Sequence, residues 1–180
     1  GCAAGRGVPA VTPEVRGAIA EECRQSDVGL RLGPGVNIKR SPLGGRNFEY
    51  YSEGPLLAGE RAAGFINGAQ GKGVGTSLKH YAVNNQERLR MSINAAVEDR
   101  ALFDLYLKPF VIAGKKAHPD TGMASYNRVN GTCATENRRL NTELLHLRFG
   151  SPTVVVSYRD SVHARSAGIP HGLYAAIHAS

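Results

Sequence analysis

The sequence predicts an α/β fold, a partial (β/α)₈ barrel of about four βα units. Two observations carry that expectation. Four short apolar or β-branched runs alternate with longer stretches of helical periodicity along the chain, and strands that alternate with helices pair in parallel, because parallel neighbours need a crossover between them. The length of 180 residues suits one domain, yet falls short of the ~250 residues of a closed eight-stranded barrel. Residues 1–180 are therefore read as a single partial barrel domain, with 164–180 as a tail that departs from the pattern.

Each element has its own signal. Thr12-Pro13-Glu14 reads as an N-cap followed by proline at the first helical position, opening a helix to about Arg24. Val28 to Val36 reads as a strand that runs into the turn Gly33-Pro34-Gly35. A second helix, from Pro55 to about Ala69, places Leu56, Ala63 and Ile66 near one face and ends at Gly71-Lys72-Gly73. Val74 to Val83 is the second strand, followed by Asn84-Asn85. A third helix, from about Val97 to Lys116, repeats Leu102, Leu105, Tyr106 and Phe110, with Pro109 as a kink. Gly122 to Val129 is the third strand, Asn130-Gly131 a turn, and about Thr142 to Arg148 a short helix. Thr153 to Tyr158 is the fourth and clearest strand, because its valines are β-branched.

Composition narrows the function classes. The chain is 42% hydrophobic and 21% charged, an ordinary globular balance, and no apolar run approaches the ~18 residues that cross a bilayer. No membrane partner is expected. The net charge of +7 could favour nucleic acid, but the basic residues are scattered and no aromatic residues interleave with a basic stripe, so no nucleic-acid partner is expected. Cys2, Cys23 and Cys133 have no metal-ligand spacing, and their odd number argues against a complete disulfide framework. That favours a reducing, cytoplasmic compartment. The first residues, without an initiator methionine or an apolar signal segment, read as an internal start, and the chain as a fragment.

Five ordered motifs supply the functional reading. Residues 31–53 read RLGPGVNIKRSPLGGRNFEYYSE, followed by SLKHYAVNNQE at 77–87, MASYNRVNG at 123–131, ENRRLNTELL at 136–145 and VVVS at 154–157. In this order they closely resemble the sugar-binding, TIM-type barrel domain of family 3 glycoside hydrolases, the β-glucosidase family. The resemblance implies that Arg46, Lys79, His80, Arg90 and Tyr126 bind the sugar in the subsite before the scissile bond. The chemistry is apt, since a sugar edge is all hydroxyls and each charge-assisted hydrogen bond contributes ~1.5–3 kcal/mol. In parallel barrels such groups gather at the C-terminal ends of the strands. Each residue also has a plainer reading, although Lys79, in the middle of an apolar strand, is harder to dismiss, because a buried lysine without a partner would be costly. Arg46 could pin its own loop to Glu49 or Glu53, His80 could be a core histidine, Arg90 a solvated arginine and Tyr126 a packing residue. Asn84, Asn85 and Glu87 read as a supporting polar shell or a solvated turn, and Asn127 and Asn130 as fixing their own loop.

The resemblance implies a retaining mechanism, in which a carboxylate nucleophile and a second carboxyl stand ~5–5.5 Å apart. No metal or organic cofactor is implied. In the family an aspartate follows the VVVS strand, whereas here Ser157-Tyr158-Arg159 places Tyr158 in the nucleophile's position. Asp160, two residues on, would lie ~6–7 Å further along. The family's acid/base carboxyl mostly comes from a second domain, and its first strand, which carries a sugar-binding Asp, is missing before Gly1. Gly54 replaces an aspartate, and Ser151-Pro152-Thr153 an aromatic-acidic-Gly stretch. The chain thus reads as a fragment of a β-glucosidase-like hydrolase that holds a β-glucoside or related sugar without catalytic residues of its own. Two further readings are a non-catalytic sugar-binding module and a half-barrel that self-associates through exposed strand edges.

Overall fold

The computed structural model describes residues 11–157, with the backbone alone for residues 11–16. The strands of this region are β1 (Leu30–Arg31), β2 (Gly75–Tyr81), β3 (Asn94–Ala95), β4 (Thr121–Ala124), β5 (Arg128–Val129), β6 (Thr132–Cys133) and β7 (Val154–Val156). The main sheet has the order β1-β2-β4-β7, and every pairing in it is parallel. Helices fill the crossovers. α1 (Val11–Gln25) precedes β1, α2 (Pro55–Gln70) leads to β2, and α3 (Asp99–Ala101) and α4 (Lys108–Ala117) lead to β4. A π-helical segment, Arg139–Arg148, leads to β7. A doubly wound sheet reverses its strand order at a switch point. Unbroken chain order instead winds in one sense, as barrel strands do, so the fold is the expected partial (β/α)₈ barrel with four strands in its sheet.

The core lies between this sheet and its helices. Val36, Ile66, Leu78, Leu102, Leu107, Phe110 and Leu140 form one continuous buried cluster, and each large aliphatic side chain so buried contributes ~1.5–3 kcal/mol. Helix α2 meets α4 closely at Gly59, where a Cβ would come within 2.7 Å of Ile112 Cβ. A smaller cluster of Ala20, Cys23, Ala69 and Val74 seats α1. Cys23 and Cys133 are free thiols. Cys2 lies outside the described residues.

Several boundaries differ from the sequence expectation for local reasons. Thr12 falls inside α1 rather than capping it. The strand expected over 28–36 narrows to Leu30–Arg31 at Gly33-Pro34, but the chain keeps tracking β2, with Ser77 N donating to Gly33 O (3.1 Å) and Val36 N to Lys79 O (2.8 Å). The third helix begins at Asp99 and becomes π-helical over Leu102–Leu107, just before Pro109, which has no amide to give to the preceding turn. The strand expected over 122–129 divides after Ala124. There Ser125 Oγ and Asn127 Nδ2 both donate to Ala82 O (2.8 and 3.2 Å), and the chain leaves the main sheet for a separate one ordered β3-β5-β6. The fourth helix starts earlier than Thr142, because Asn137 Oδ1 accepts the Leu140 amide (3.0 Å) and caps the turn.

Candidate functional site

Lys79 is near the end of β2, on a strand whose other residues are mostly buried. Adjacent residues of a regular strand point to opposite faces, so Lys79 and His80 would ordinarily diverge. The register prevents this. Lys79 stands opposite Met123 and Tyr81 opposite Ala124, leaving His80 as an extra residue, a bulge that re-aims its side chain. Asn37 holds this irregular backbone from both sides, its Oδ1 accepting from His80 N (2.8 Å) and its Nδ2 donating to His80 O (2.9 Å).

Both residues line a cleft of about 520 Å³ at this end of the sheet, together with Arg46 of the loop after β1, Arg90 of the loop after β2, and Tyr126 just beyond β4. All five residues selected from the sequence therefore meet in one cavity. Glu49 unites two of them. Its Oε2 lies 3.0 Å from Lys79 Nζ, while its Oε1 accepts from Arg46 Nε. Arg46 thus does pin its own loop to Glu49, and it lines the cleft as well. Phe48, Leu32 and Met123 complete an apolar lip.

A second polar chain runs behind the first. His80 Nδ1 is 2.9 Å from Tyr50 Oη, and Asn84 Nδ2 donates to that same oxygen (2.9 Å) and to Glu87 Oε1 (3.0 Å). Glu87 Oε2 accepts from Arg90 Nη1 (3.0 Å), and the Arg90 guanidinium lies 5.0 Å from the Tyr126 ring centroid, a cation–π distance. Arg90 is therefore neither unpartnered nor merely solvated. Asn84 is buried, so it belongs to this network rather than to a solvated turn. Asn85 Nδ2 donates to Ile38 O (2.5 Å). Asn130 reaches beyond its own turn, accepting from Val97 N (2.8 Å) and donating to Val97 O (2.9 Å).

Burial dominates the electrostatics. It lowers the pKa of Lys79, an effect that the Glu49 carboxylate opposes. It also lowers that of His80 to about 2, assisted by the positive charges of Arg46, Lys79 and Arg90, so the imidazole is neutral. The Tyr50 hydroxyl is raised above its ordinary range, again chiefly by burial. The cleft wall thus offers guanidinium and ammonium donors, a neutral imidazole and aromatic faces. That combination suits a neutral, hydroxyl-rich ring. Among the described residues no group of three or more His, Cys, Asp or Glu could hold a metal ion, and no helix is long and apolar enough to cross a membrane. Tyr158, Asp160 and the 164–180 tail lie outside the described residues.

Tyr50 and the shared role of Glu49 are what the sequence left unassigned. Glu49 carried a partial signal, three residues after Arg46 on one loop. Tyr50 carried none, because nothing local indicates that it faces a histidine thirty positions away.

Comparison with known proteins agrees with this architecture. Residues 8–178 match the Glycosyl hydrolase family 3 N terminal domain. An Exo-alpha-(1->6)-L-arabinopyranosidase of Bifidobacterium longum is 49% identical over 92% of the chain and 22% of its own length. The crystal structure of a Bifidobacterium adolescentis GH3 beta-glucosidase superposes with a TM-score of 0.85 at 49% identity, covering 88% of this chain and 23% of that one. Beta-glucosidase 3B from Thermotoga neapolitana in complex with glucose gives 0.81 at 43% identity, covering 83% and 21%. The chain spans roughly a fifth of the length of these relatives. With the family match running over nearly all of its length, the chain belongs to glycosyl hydrolase family 3, through that family's N-terminal domain.

Proposed function

We propose that this chain is the sugar-holding part of a β-glucosidase-like hydrolase, and that it binds a terminal β-linked glucosyl residue or a related pyranose without turning it over. The observation that carries the reading is the Glu49 carboxylate, which holds Arg46 and Lys79 on the wall of the cleft that His80, Arg90 and Tyr126 share. Glucose is present in the complex of the Thermotoga relative, and the Bifidobacterium longum relative is named for an arabinopyranose. Both sugars are pyranoses with ring hydroxyls at hydrogen-bonding spacing. Retaining hydrolysis needs two carboxyls. We take Tyr158 to stand in the nucleophile's position, as the family resemblance implies, and the acid/base carboxyl to be one that the family draws mostly from a second domain.

Titration calorimetry with glucose and with L-arabinopyranose tests the binding. Binding to at least one of them is expected, weakened in Lys79→Ala by ~10-fold or more, the size of one lost charged hydrogen bond. No heat with either sugar contradicts the reading. No hydrolysis of an aryl β-glucoside above background is expected, and Tyr158→Asp alone is not expected to restore it. Robust turnover by the unmodified chain would count decisively against this.

Self-association is a second reading, favoured by β1 and β7 standing at the two edges of the sheet among the described residues. An edge strand presents unpaired backbone groups to other chains. Light scattering is expected to give a mass above that of one chain. A clean monomer removes this reading and leaves the first intact.

A further inference from the structure

The hydrogen bonds behind the cleft pair every proton in only one direction, and it starts at Arg90. A guanidinium can only donate, so Glu87 Oε2 accepts from it (3.0 Å). The other oxygen of that carboxylate, Oε1, can likewise only accept, which requires the Asn84 atom 3.0 Å away to be the amide nitrogen. This fixes the side-chain orientation of Asn84, an assignment that geometry alone leaves open. The same nitrogen then donates to Tyr50 Oη at 2.9 Å. With an incoming hydrogen from Asn84, the Tyr50 hydroxyl directs its own single proton at its remaining neighbour, His80 Nδ1, 2.9 Å away. Tyr50 is buried, and a buried hydroxyl proton left unpaired is costly, which assigns Nδ1 as the bare, accepting nitrogen of the ring.

We infer that Tyr50 is a positioning residue, which holds His80 as the Nε2–H tautomer and so presents a hydrogen-bond donor, not an acceptor, to whatever occupies the cleft. The relay Arg90, Glu87, Asn84, Tyr50, His80 fixes one proton position from five side chains. The imidazole is restricted as well, since the ring is buried, stands edge-on to Tyr50 with centroids 5.9 Å apart, and follows a backbone clamped by Asn37. The depressed pKa of His80 agrees with a neutral ring, with one bare nitrogen. The consequence for a ligand is directional. The cleft faces it with donors from Arg46, Lys79 and His80, so the matching group is a hydroxyl oxygen accepting from Nε2–H. That last step rests on the sugar reading above, while the tautomer itself does not.

Long-range ¹H–¹⁵N NMR of the histidine ring in the full 180-residue chain tests this without ligand. The expected spectrum places His80 Nδ1 at the unprotonated, pyridine-like position and Nε2 at the protonated, pyrrole-like one. In Tyr50→Phe, which removes only the hydroxyl, both resonances are expected to move toward each other as the two tautomers mix. A wild-type spectrum with Nδ1 protonated overturns the proposal, whatever the fate of the variant. So does a folded Tyr50→Phe protein whose ring shifts match the wild type. Glucose added last separates the two claims. A shift of Nε2 alone supports the donor role, whereas an Nε2–H tautomer indifferent to every sugar tested overturns that role and, with calorimetry also silent, the sugar reading, leaving Tyr50's control of the proton in place.

Discussion

Replacing Glu49 by Gln is expected to lower the unfolding free energy by about 2–3 kcal/mol, measured by urea denaturation at neutral pH. The figure sits below the 3–5 kcal/mol typical of a broken, fully buried pair, because the side chains of Lys79, Glu49 and Arg46 keep 12%, 18% and 23% of their exposure. The direction is set by what remains. Without the carboxylate, two positive charges stand together on the cleft wall, and burial and the Arg46 charge already work against the charge on Lys79. The double variant Glu49→Gln with Lys79→Met is expected to recover part of the loss, since it removes the stranded ammonium while keeping its apolar stem. A loss below about 0.5 kcal/mol in the single variant would show the shared carboxylate to be an ordinary surface pair.

The second large effect depends on pH. Folding lowers the pKa of His80 from 6.5 to about 2. Above pH 6.5 the ring is neutral in both states and adds no pH dependence. Below it, the unfolded chain binds a proton that the folded chain refuses, so stability falls as pH falls, by up to ~1.4 kcal/mol per pH unit. From pH 6.5 to about pH 4 this amounts to roughly 3 kcal/mol attributable to one ring. In His80→Gln that component is absent, and its stability curve over the same window is expected to be flatter by this amount. Parallel curves for the two proteins would mean that His80 titrates normally in the folded state.

Much of the fold was legible because it rests on long, repeated signals. Helix α2 (Pro55–Gln70) came from a proline at its start, apolar spacing and terminal glycines, and the parallel sheet followed from alternation alone. The smaller sheet was not legible. Its strands, Asn94–Ala95, Arg128–Val129 and Thr132–Cys133, are two residues each, too short for any periodicity to register. The π-helical stretches share the spacing of an α-helix closely enough to be read as one.

The site was legible at its cationic residues and illegible in its wiring. Lys79 stood out as a charged residue inside an apolar run, and the family motif drew in Arg46, His80, Arg90 and Tyr126. The bulge at His80, which makes it a neighbour of Lys79 on the same wall, depends on a register between β2 and β4 that no single segment encodes. Tyr50 and Asn84 act through contacts across loops, where the backbone path decides which side chains meet.

The most direct test of convergence on one sugar is a crystal structure of the chain with glucose. It is expected to show a single ring between Lys79 and Tyr126, with hydroxyls in hydrogen-bond range of Lys79 Nζ, His80 Nε2 and the Arg46 guanidinium. Glucose bound away from that cleft, or none at saturating concentration, would contradict it.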